Sequence, residues 1–383
     1  MKHSDIIIIG GGILGLSHAY HSLTRGLTVT LFEKDAKAVG SSIQNFGQIV
    51  PSGFGAKWQK YGRKSLSIYE HIQNEYDIHI RKEGSIYVAS DNEELSLIEE
   101  LHQINKTNDY SSTLLSSNDC INLYPQLKKD YCKGGLLFAQ EYNADSRWTI
   151  PSITHYLIAK FQLNVQFSTQ ITSLDIENNK VIVADYKGDK WSTDKVIICN
   201  GSDFKSLLPN LYADSDIELV KLQMLETIPQ LKNEVKGSIL TGWTIRRYES
   251  FKECPSFDII KSKEDKNSFH NKFGIHILFK QLATGGIIIG DSHEYSSIEN
   301  ESDLKLNEID YGINDFMVNA ANEIMDLDYK ISKSWVGLYS QSKTEELFTK
   351  NIENKIYIAT AIGGKGMTGS LGWAEEHITH IFE

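Results

Sequence analysis

An α/β fold in two units is what this 383-residue sequence predicts, and three observations carry the prediction. An apolar, β-branched run, Asp5 to Ile9, feeds the triplet Gly10-Gly11-Gly12-Ile13-Leu14-Gly15 and then a helical pattern. The centre of the chain holds strand-like runs with no helices between them, as a mainly antiparallel second unit requires. A second glycine-rich loop, Gly363 to Gly369, precedes the last helical stretch.

The first of these has a defined physical content. Gly10 permits a tight turn, Gly12 lets the backbone approach a pyrophosphate, and Gly15 allows the helix to pack closely on the strand. The helix start at Ile13 and Leu14 offers unpaired N–H groups to phosphate oxygens. A second strand, Leu27 to Phe32, ends at Glu33, followed by Lys34. Glu33 is placed to accept hydrogen bonds from ribose hydroxyls, and its charge disfavours a 2′-phosphate. Strand, triplet, helix, strand and acid in that order specify a dinucleotide site.

The rest follows in order. Gly40 to Ile49 is small and polar enough to be a loop, yet contains the apolar Phe46 and Ile49. Helices are expected over Trp58 to Tyr76 and Asn92 to Ile104, and strands over Ser85 to Ala89 and Gly134 to Ala139. A helix from about Thr149 to Phe161 would carry Pro151 in its first turn. Strands Val165 to Phe167, Gln170 to Ile176 and Lys180 to Ala184 come next, with Asn178-Asn179 as a hairpin turn. Lys195 to Cys199 is a strand ending in Asn200-Gly201. The central strands are Ile217 to Thr227, Ser238 to Arg246, Gly274 to Lys280 and Gly286 to Gly290, with a polar insertion at Lys261 to Asn271. A helix over Asp303 to Met325 and a strand over Lys355 to Ala361 lead to the second glycine loop.

Composition narrows the function. The net charge of −11 argues against nucleic-acid binding by the whole surface. No run reaches the roughly 20 apolar residues of a membrane span, and the start of the chain has no signal-like segment, so a cytoplasmic protein is expected. Cys120, Cys132, Cys199 and Cys254 form no C-x-x-C pair and no metal-ligand spacing, so free thiols and no metal are expected.

With these motifs the chain resembles the D-amino acid oxidase-like flavoproteins, the family of glycine oxidase and sarcosine oxidase. The resemblance rests on the amino-terminal fingerprint, Gly40-Ser41-Ser42, Gln170-Ile171-Thr172, Asn200-Gly201, and Gly364 to Thr368 with its helix. It implies a Rossmann-like FAD-binding domain with a β-meander, interleaved with an α+β substrate domain built on a large, mainly antiparallel sheet. The implied division is 1–80, 140–205 and 330–383 for FAD, and 81–139 and 206–329 for substrate. Carried over by position, the FAD contacts are Gly10, Gly12, Ile13, Leu14, Gly15, Glu33, Lys34, Ser41, Ser42, Asn45, Phe46, Gly47, Ile171, Asn200, Gly201, Gly337, Gly364, Lys365, Gly366, Met367 and Thr368. No cysteine lies in the family's covalent-flavin segment around Trp335 to Ser342, which implies noncovalent FAD.

A narrower resemblance rests on Ser41 to Gly47, Arg246-Arg247-Tyr248-Glu249-Ser250-Phe251 with Cys254-Pro255-Ser256, and Ile289 to Tyr295. It is to a branch proposed to act in bacterial aminophosphonate catabolism. Relatives that oxidise amino acids commonly place an arginine shortly after Trp-x-Gly to grip the α-carboxylate. Trp335-Val336-Gly337-Leu338-Tyr339 has tyrosine there. The expected substrate is therefore a small anionic amine other than a simple α-amino acid, held by Gln48, Arg246, Arg247, His276 and Tyr339, with His276 and Tyr339 as the catalytic candidates. His293 and Tyr295 are weaker candidates. The implied reaction is hydride transfer from the α-carbon to flavin N5, followed by imine hydrolysis and reoxidation by O2 or another acceptor. The alternatives are a 2-hydroxy acid dehydrogenase on the same scaffold and a non-catalytic flavin-binding protein.

Overall fold

A computed structural model describes residues 2–231 and 233–383. Its amino-terminal unit begins with strand β1 (Lys2–Ile9), helix α1 (Ile13–Thr24) and strand β2 (Val29–Phe32). Ile6, Ile7 and Ile8 are fully buried, because β1 lies between two parallel neighbours and is covered on both faces, which is why its sequence is an unbroken apolar run. The eight-stranded sheet runs in the order Ile171–Glu177, Lys180–Asp185, Lys190–Ile198, β1, β2, Asn164–Gln166. The first three of these strands form the antiparallel meander. Asn178 and Asn179 turn it with φ of 47° and 64°, the left-handed pair that a two-residue hairpin prefers. Lys190–Ile198 serves two partners along one edge. Residues 190–193 pair with the meander, and Val196 to Ile198 pair in parallel with Ile356–Thr360.

The helices over Ala56–Glu75 and Gly366–Phe382 pack together and, with α1, close one face of this sheet. Gly372 makes the packing possible, since a Cβ there would lie 2.1 Å from the Tyr61 carbonyl oxygen.

The second sheet has nine strands and is mostly antiparallel. Ile217–Thr227 pairs along its whole length with Ile331–Ser342. Residues 331–342 therefore belong to the second sheet, although the resemblance grouped them with the FAD unit. A third sheet of three short strands, Gln48–Ile49, Tyr142–Ala144 and Ile80–Arg81, joins the two.

Other expectations need correction. The strand expected over Ser238 to Arg246 stops at Leu240 and gives way to a helical turn, Gly242–Ile245. Gly242 is jammed against the Glu94 carboxylate, where a Cβ would sit 2.2 Å from an oxygen. The helix expected over Asp303 to Met325 is two helices, Glu301–Lys305 and Tyr311–Ile324. Asn307 between them has φ +56°, and the Asp310 carboxylate caps the second by accepting from Gly312 and Ile313 N–H. Pro151 lies inside Ser146–Phe161, because that helix begins three residues earlier than its apolar pattern suggests. Within Gly40 to Ile49, Ser41–Gln44 forms a short helix and Gln48–Ile49 a strand.

Candidate active site

A single cleft of about 1100 Å³ runs from the Gly10 turn to the second glycine loop. Its floor is made by Ile9, Cys199, Asn200, Thr360 and Ala361, at or just beyond the carboxyl ends of three parallel strands, the position where open α/β sheets bind ligands.

The turn at one end is built as the sequence requires. Gly10 has φ +111°, and a Cβ there would lie 2.1 Å from the Cys199 carbonyl oxygen. A Cβ on Gly15 would lie 2.0 Å from the Gly10 carbonyl oxygen. Glu33 accepts from Gly11 N–H at 2.9 Å and from Asp35 N–H at 3.0 Å. Its carboxylate is thereby fixed, with lone pairs to spare for a diol. Ile13 N–H, at the start of α1, donates to Ser42 Oγ at 2.9 Å, which brings the Gly40 loop over the Gly10 turn. Leu14 and Ile171 line the same end. Lys34 is paired to Asp203 at 2.7 Å.

The Ser41–Gly47 segment is held by its own side chains. Ser41 Oγ donates to the Leu338 carbonyl at 2.6 Å. Asn45 donates to the carbonyls of Ser41 and Ser42 and accepts from Gly47 N–H at 2.8 Å and Ser146 Oγ at 3.0 Å. Asn45 thus shapes the loop. Phe46 is buried in the core of the second sheet with Gly290 against its ring, and Gly337 touches Gln44 closely for lack of a Cβ. Asn200 accepts from Tyr212 O–H at 3.2 Å, and the Gly201 carbonyl accepts from Ser340 and Thr360 hydroxyls at 3.0 and 2.8 Å.

At the far end, Gly363–Lys365 makes one 3-10 turn and runs directly into the last helix at Gly366. Gly364, Lys365, Gly366, Met367 and Thr368 all line the cleft. The Met367 carbonyl accepts from Tyr69 O–H at 2.8 Å, and Thr368 Oγ1 accepts from Val50 N–H at 3.1 Å. Lys365 is not the free charge that its position suggests. It pairs with Glu249 at 2.8 Å and Glu346 at 2.9 Å. Burial works against its charge, but the two carboxylates outweigh burial and raise its pKa.

The roof is a group of polar side chains from the second sheet and from the turns beside its strands. Arg247, Tyr248, His276, Asp291, His293 and Tyr339 all line the cleft. His276 and Asp291 exchange backbone hydrogen bonds at 3.1 and 2.8 Å, and His276 Nε2 lies 2.8 Å from Asp291 Oδ1. His276 Nδ1 meets Thr244 Oγ1 at 3.1 Å. Burial acts to raise the Asp291 pKa, but His276, His293 and Arg247 together bring it below the ordinary carboxylate value. One ligand atom each from His276, Asp291 and His293 lies within 4.8 Å of the others. The Arg247 charge acting on the same carboxylate opposes a cation there. Gln48 donates to Tyr248 Oη at 2.7 Å. Burial raises the Tyr339 pKa far above the tyrosine range, so its phenol is a neutral donor.

Arg246 and Arg247, adjacent in sequence, part company in space. Arg246 turns away from this cleft to Glu94 at 2.8 Å, Asp91 at 2.7 Å and Glu93 at 3.3 Å, so its assignment as a substrate ligand is corrected. A residue next to a helical turn points a third of a circle away from its neighbour, and the turn at Gly242–Ile245 was not legible in the sequence. Arg247 reaches the cleft and donates to Tyr295 Oη at 3.0 Å. Tyr248, Asp291 and Lys280 were not singled out from sequence. Lys280 is 1 % exposed beneath the Phe46 loop, donating to the Gly47 carbonyl at 3.2 Å and the Ala144 carbonyl at 2.7 Å. An isolated lysine in an apolar strand was the signal available for it.

Comparison with known proteins agrees with this geometry. The chain is 22 % identical over 300 residues to glycerol 3-phosphate dehydrogenase of Caloramator mitchellensis, covering 76 % of this chain and 55 % of that protein. It is 24 % identical over 163 residues to mitochondrial sarcosine dehydrogenase of Mus musculus, covering 41 % of this chain and 18 % of that protein. It therefore spans about half or less of the length of these curated relatives. The crystal structure of L-proline dehydrogenase from P. horikoshii superposes with a TM-score of 0.80 at 19 % identity, covering 99 % of this chain and 93 % of that one. The pattern of the family described as FAD dependent oxidoreductase matches residues 5–378. A cleft closed by a dinucleotide turn at one end and a helix start at the other suits an extended FAD, and the chain belongs to this family of FAD dependent oxidoreductases.

Proposed function

We propose that the chain oxidises the C–N bond of a small amine bearing an anionic group, an aminophosphonate of the 2-aminoethylphosphonate or N-methylated kind. Bound FAD supplies the acceptor for the hydride that leaves the carbon beside the nitrogen. The protein's part is to hold the substrate, set its charge state and exclude water. Gly10, Gly12, Gly15, Glu33 and Ser42 would hold the adenosine and pyrophosphate side, and the amides of Gly364 to Thr368 the ring side.

The observation that carries the substrate reading is Arg247. It is a partly buried guanidinium lining the cleft whose hydrogen-bond partner is a tyrosine hydroxyl, and among the described residues it makes no ion pair. Asp291 acts on it only from beyond ion-pair contact, and a desolvated cation without a contacting carboxylate is unfavourable unless a ligand completes it. Arg246, one residue earlier, has three carboxylates. A phosphonate or carboxylate on the substrate would take two N–H donors from Arg247. Tyr339, kept neutral by burial, and the Gln48–Tyr248 pair supply further hydrogen bonds around the same space.

The test is Arg247→Gln. Relative to the unaltered chain, kcat/KM for 2-aminoethylphosphonate or its N-methyl derivative should fall about 100-fold, as loss of a charge-assisted contact of about 3 kcal/mol implies. The rate with an alkylamine that carries no anionic group should not fall. Equal losses on both would refute the assignment. A second reading, oxidation of a phosphate-bearing alcohol, is favoured by the relative named for glycerol 3-phosphate. Reduction by hydroxy compounds and not by amines would select it.

A further inference from the structure

We propose that His293 takes the proton from the substrate's ammonium group, and that it does so once the substrate's anionic group has occupied Arg247. The inference rests on the amine reading above and names the regulation of that same site.

The tautomer of His293 is fixed by its neighbour. Nδ1 lies 3.0 Å from the Gly274 carbonyl oxygen, which can only accept, so Nδ1 carries the hydrogen. In the neutral ring Nε2 therefore carries the lone pair. Among the described residues no side chain or backbone group bonds to that nitrogen, and His293 lines the cleft. Gly274 adopts φ +54°, and a Cβ on it would strike His293 Cβ at 2.9 Å and Arg247 Nη1 at 3.3 Å. The glycine thus lets the imidazole and the guanidinium sit side by side.

The groups facing His293 come from four elements. Arg247 comes from the turn after Gly242–Ile245, His276 and Asp291 from the central hairpin, Tyr295 from the strand Glu294–Ser297, and Tyr339 from Ile331–Ser342. The His276 ring centroid is 5.4 Å away and the Tyr339 centroid 6.5 Å. Asp291 Oδ1, 4.0 Å from Nδ1, favours a charged ring, and Arg247 opposes it. Burial first and Arg247 second hold the His293 pKa well below 6.5. With no anion on Arg247 the ring is neutral and a weak base. An anion placed on Arg247 cancels the second of these effects and leaves only burial and His276 against Asp291. The basicity of Nε2 then rises, because a nearby positive charge no longer opposes the imidazolium.

The proton step is balanced. The ammonium N–H bond breaks, its electron pair stays on the substrate nitrogen, and an N–H bond forms at His293 Nε2. A neutral amine and an imidazolium beside Asp291 result. Only the neutral amine has the lone pair that C–N oxidation needs. A substrate without its anionic group leaves His293 weak and its own nitrogen protonated, so selectivity for the anion is exerted on the proton transfer as well as on binding.

The experiment is histidine ring NMR on the FAD-loaded protein, with His293→Asn to assign the signal. Propylphosphonate and propionate serve as probes, since neither carries an amine to oxidise. The proposal expects the Nδ1–H tautomer throughout. It expects a titration midpoint that rises by at least 1 unit when a probe is saturating, and an Arg247→Gln midpoint that is raised already without any probe. An Nε2–H tautomer, a midpoint that neither probe moves, or an unaltered midpoint in Arg247→Gln overturns it. The kinetic counterpart is His293→Asn with its FAD content confirmed. Its reductive rate should fall and then climb tenfold per pH unit toward the amine's own pKa. The same pH profile in the variant and the unaltered protein overturns the assignment. Failure of every amine to reduce the flavin would end the amine reading and leave the NMR result standing. An unmoved His293 would end this inference and leave amine oxidation intact.

Discussion

Lys280→Met is a sharp test of how the cleft is supported. Lys280 is 1 % exposed, and burial pulls its pKa from the ordinary 10.5 to about 7. A shift of that size corresponds to about 5 kcal/mol between the charged and neutral forms. The sign follows from proton counts. Between pH 7 and pH 10.5 the unfolded chain binds the lysine proton and the folded chain does not, so stability rises with pH across that window. Below pH 7 both states are protonated, and the whole cost of burying the charge is present. Methionine has similar length and does not titrate. It loses the donations to the Gly47 and Ala144 carbonyls, a pH-independent cost of about 1–3 kcal/mol. Urea unfolding should therefore find the variant more stable than the unaltered chain at pH 6 by a few kcal/mol. That gap should shrink by about 3 kcal/mol between pH 7 and pH 9. Stability curves that run parallel across pH 6 to 9 would show that Lys280 is charged and solvated in the fold, and would refute the burial argument. Since Lys280 grips the carbonyl of Gly47, the variant should also bind FAD more weakly, read by flavin release on dilution.

Three further outcomes follow from the geometry. Gly15→Ala would put a methyl group 2.0 Å from the Gly10 carbonyl oxygen, and the purified protein should lose most of its visible flavin absorbance. Arg246→Met would strand the buried Glu94 carboxylate, lowering unfolding stability by about 3 kcal/mol while leaving the ratio of rates on anionic and neutral amines unchanged. Tyr339→Phe removes one hydrogen-bond donor and should lower kcat/KM about tenfold without altering the pH profile, because burial keeps the phenol protonated.

The parts of the molecule that were legible in the sequence are those where one local rule decides. The β1 run, the glycine turn and Glu33 form a contiguous motif in which each residue has one job, and the structure has the strand, the left-handed turn at Gly10 and the close packing of Gly15 where the motif puts them. Asn178-Asn179 was legible because its two left-handed residues define the turn by themselves. The failures lie where distant groups decide. The turn at Gly242–Ile245 exists against Glu94, a residue about 150 positions away, so the divergence of Arg246 from Arg247 had no local sign. The place of Ile331–Ser342 in the second sheet depends on pairing with Ile217–Thr227. Lys365 sits on the right loop, but its charge is consumed by Glu249 and Glu346 from other segments. Asp291 stood in a motif that was noticed, yet its function as the partner of His276 emerges only when the hairpin closes.

The central claim is that the cleft oxidises an amine bearing an anion. Anaerobic mixing of the FAD-loaded protein with aminophosphonates, N-methyl amines, α-amino acids and hydroxy acids, with the flavin absorbance followed in time, tests it most directly. Rapid bleaching by 2-aminoethylphosphonate or its N-methyl derivative, with slow or no bleaching by glycine and D-amino acids, is the predicted result. Bleaching by hydroxy acids alone, or efficient bleaching by glycine, would contradict it.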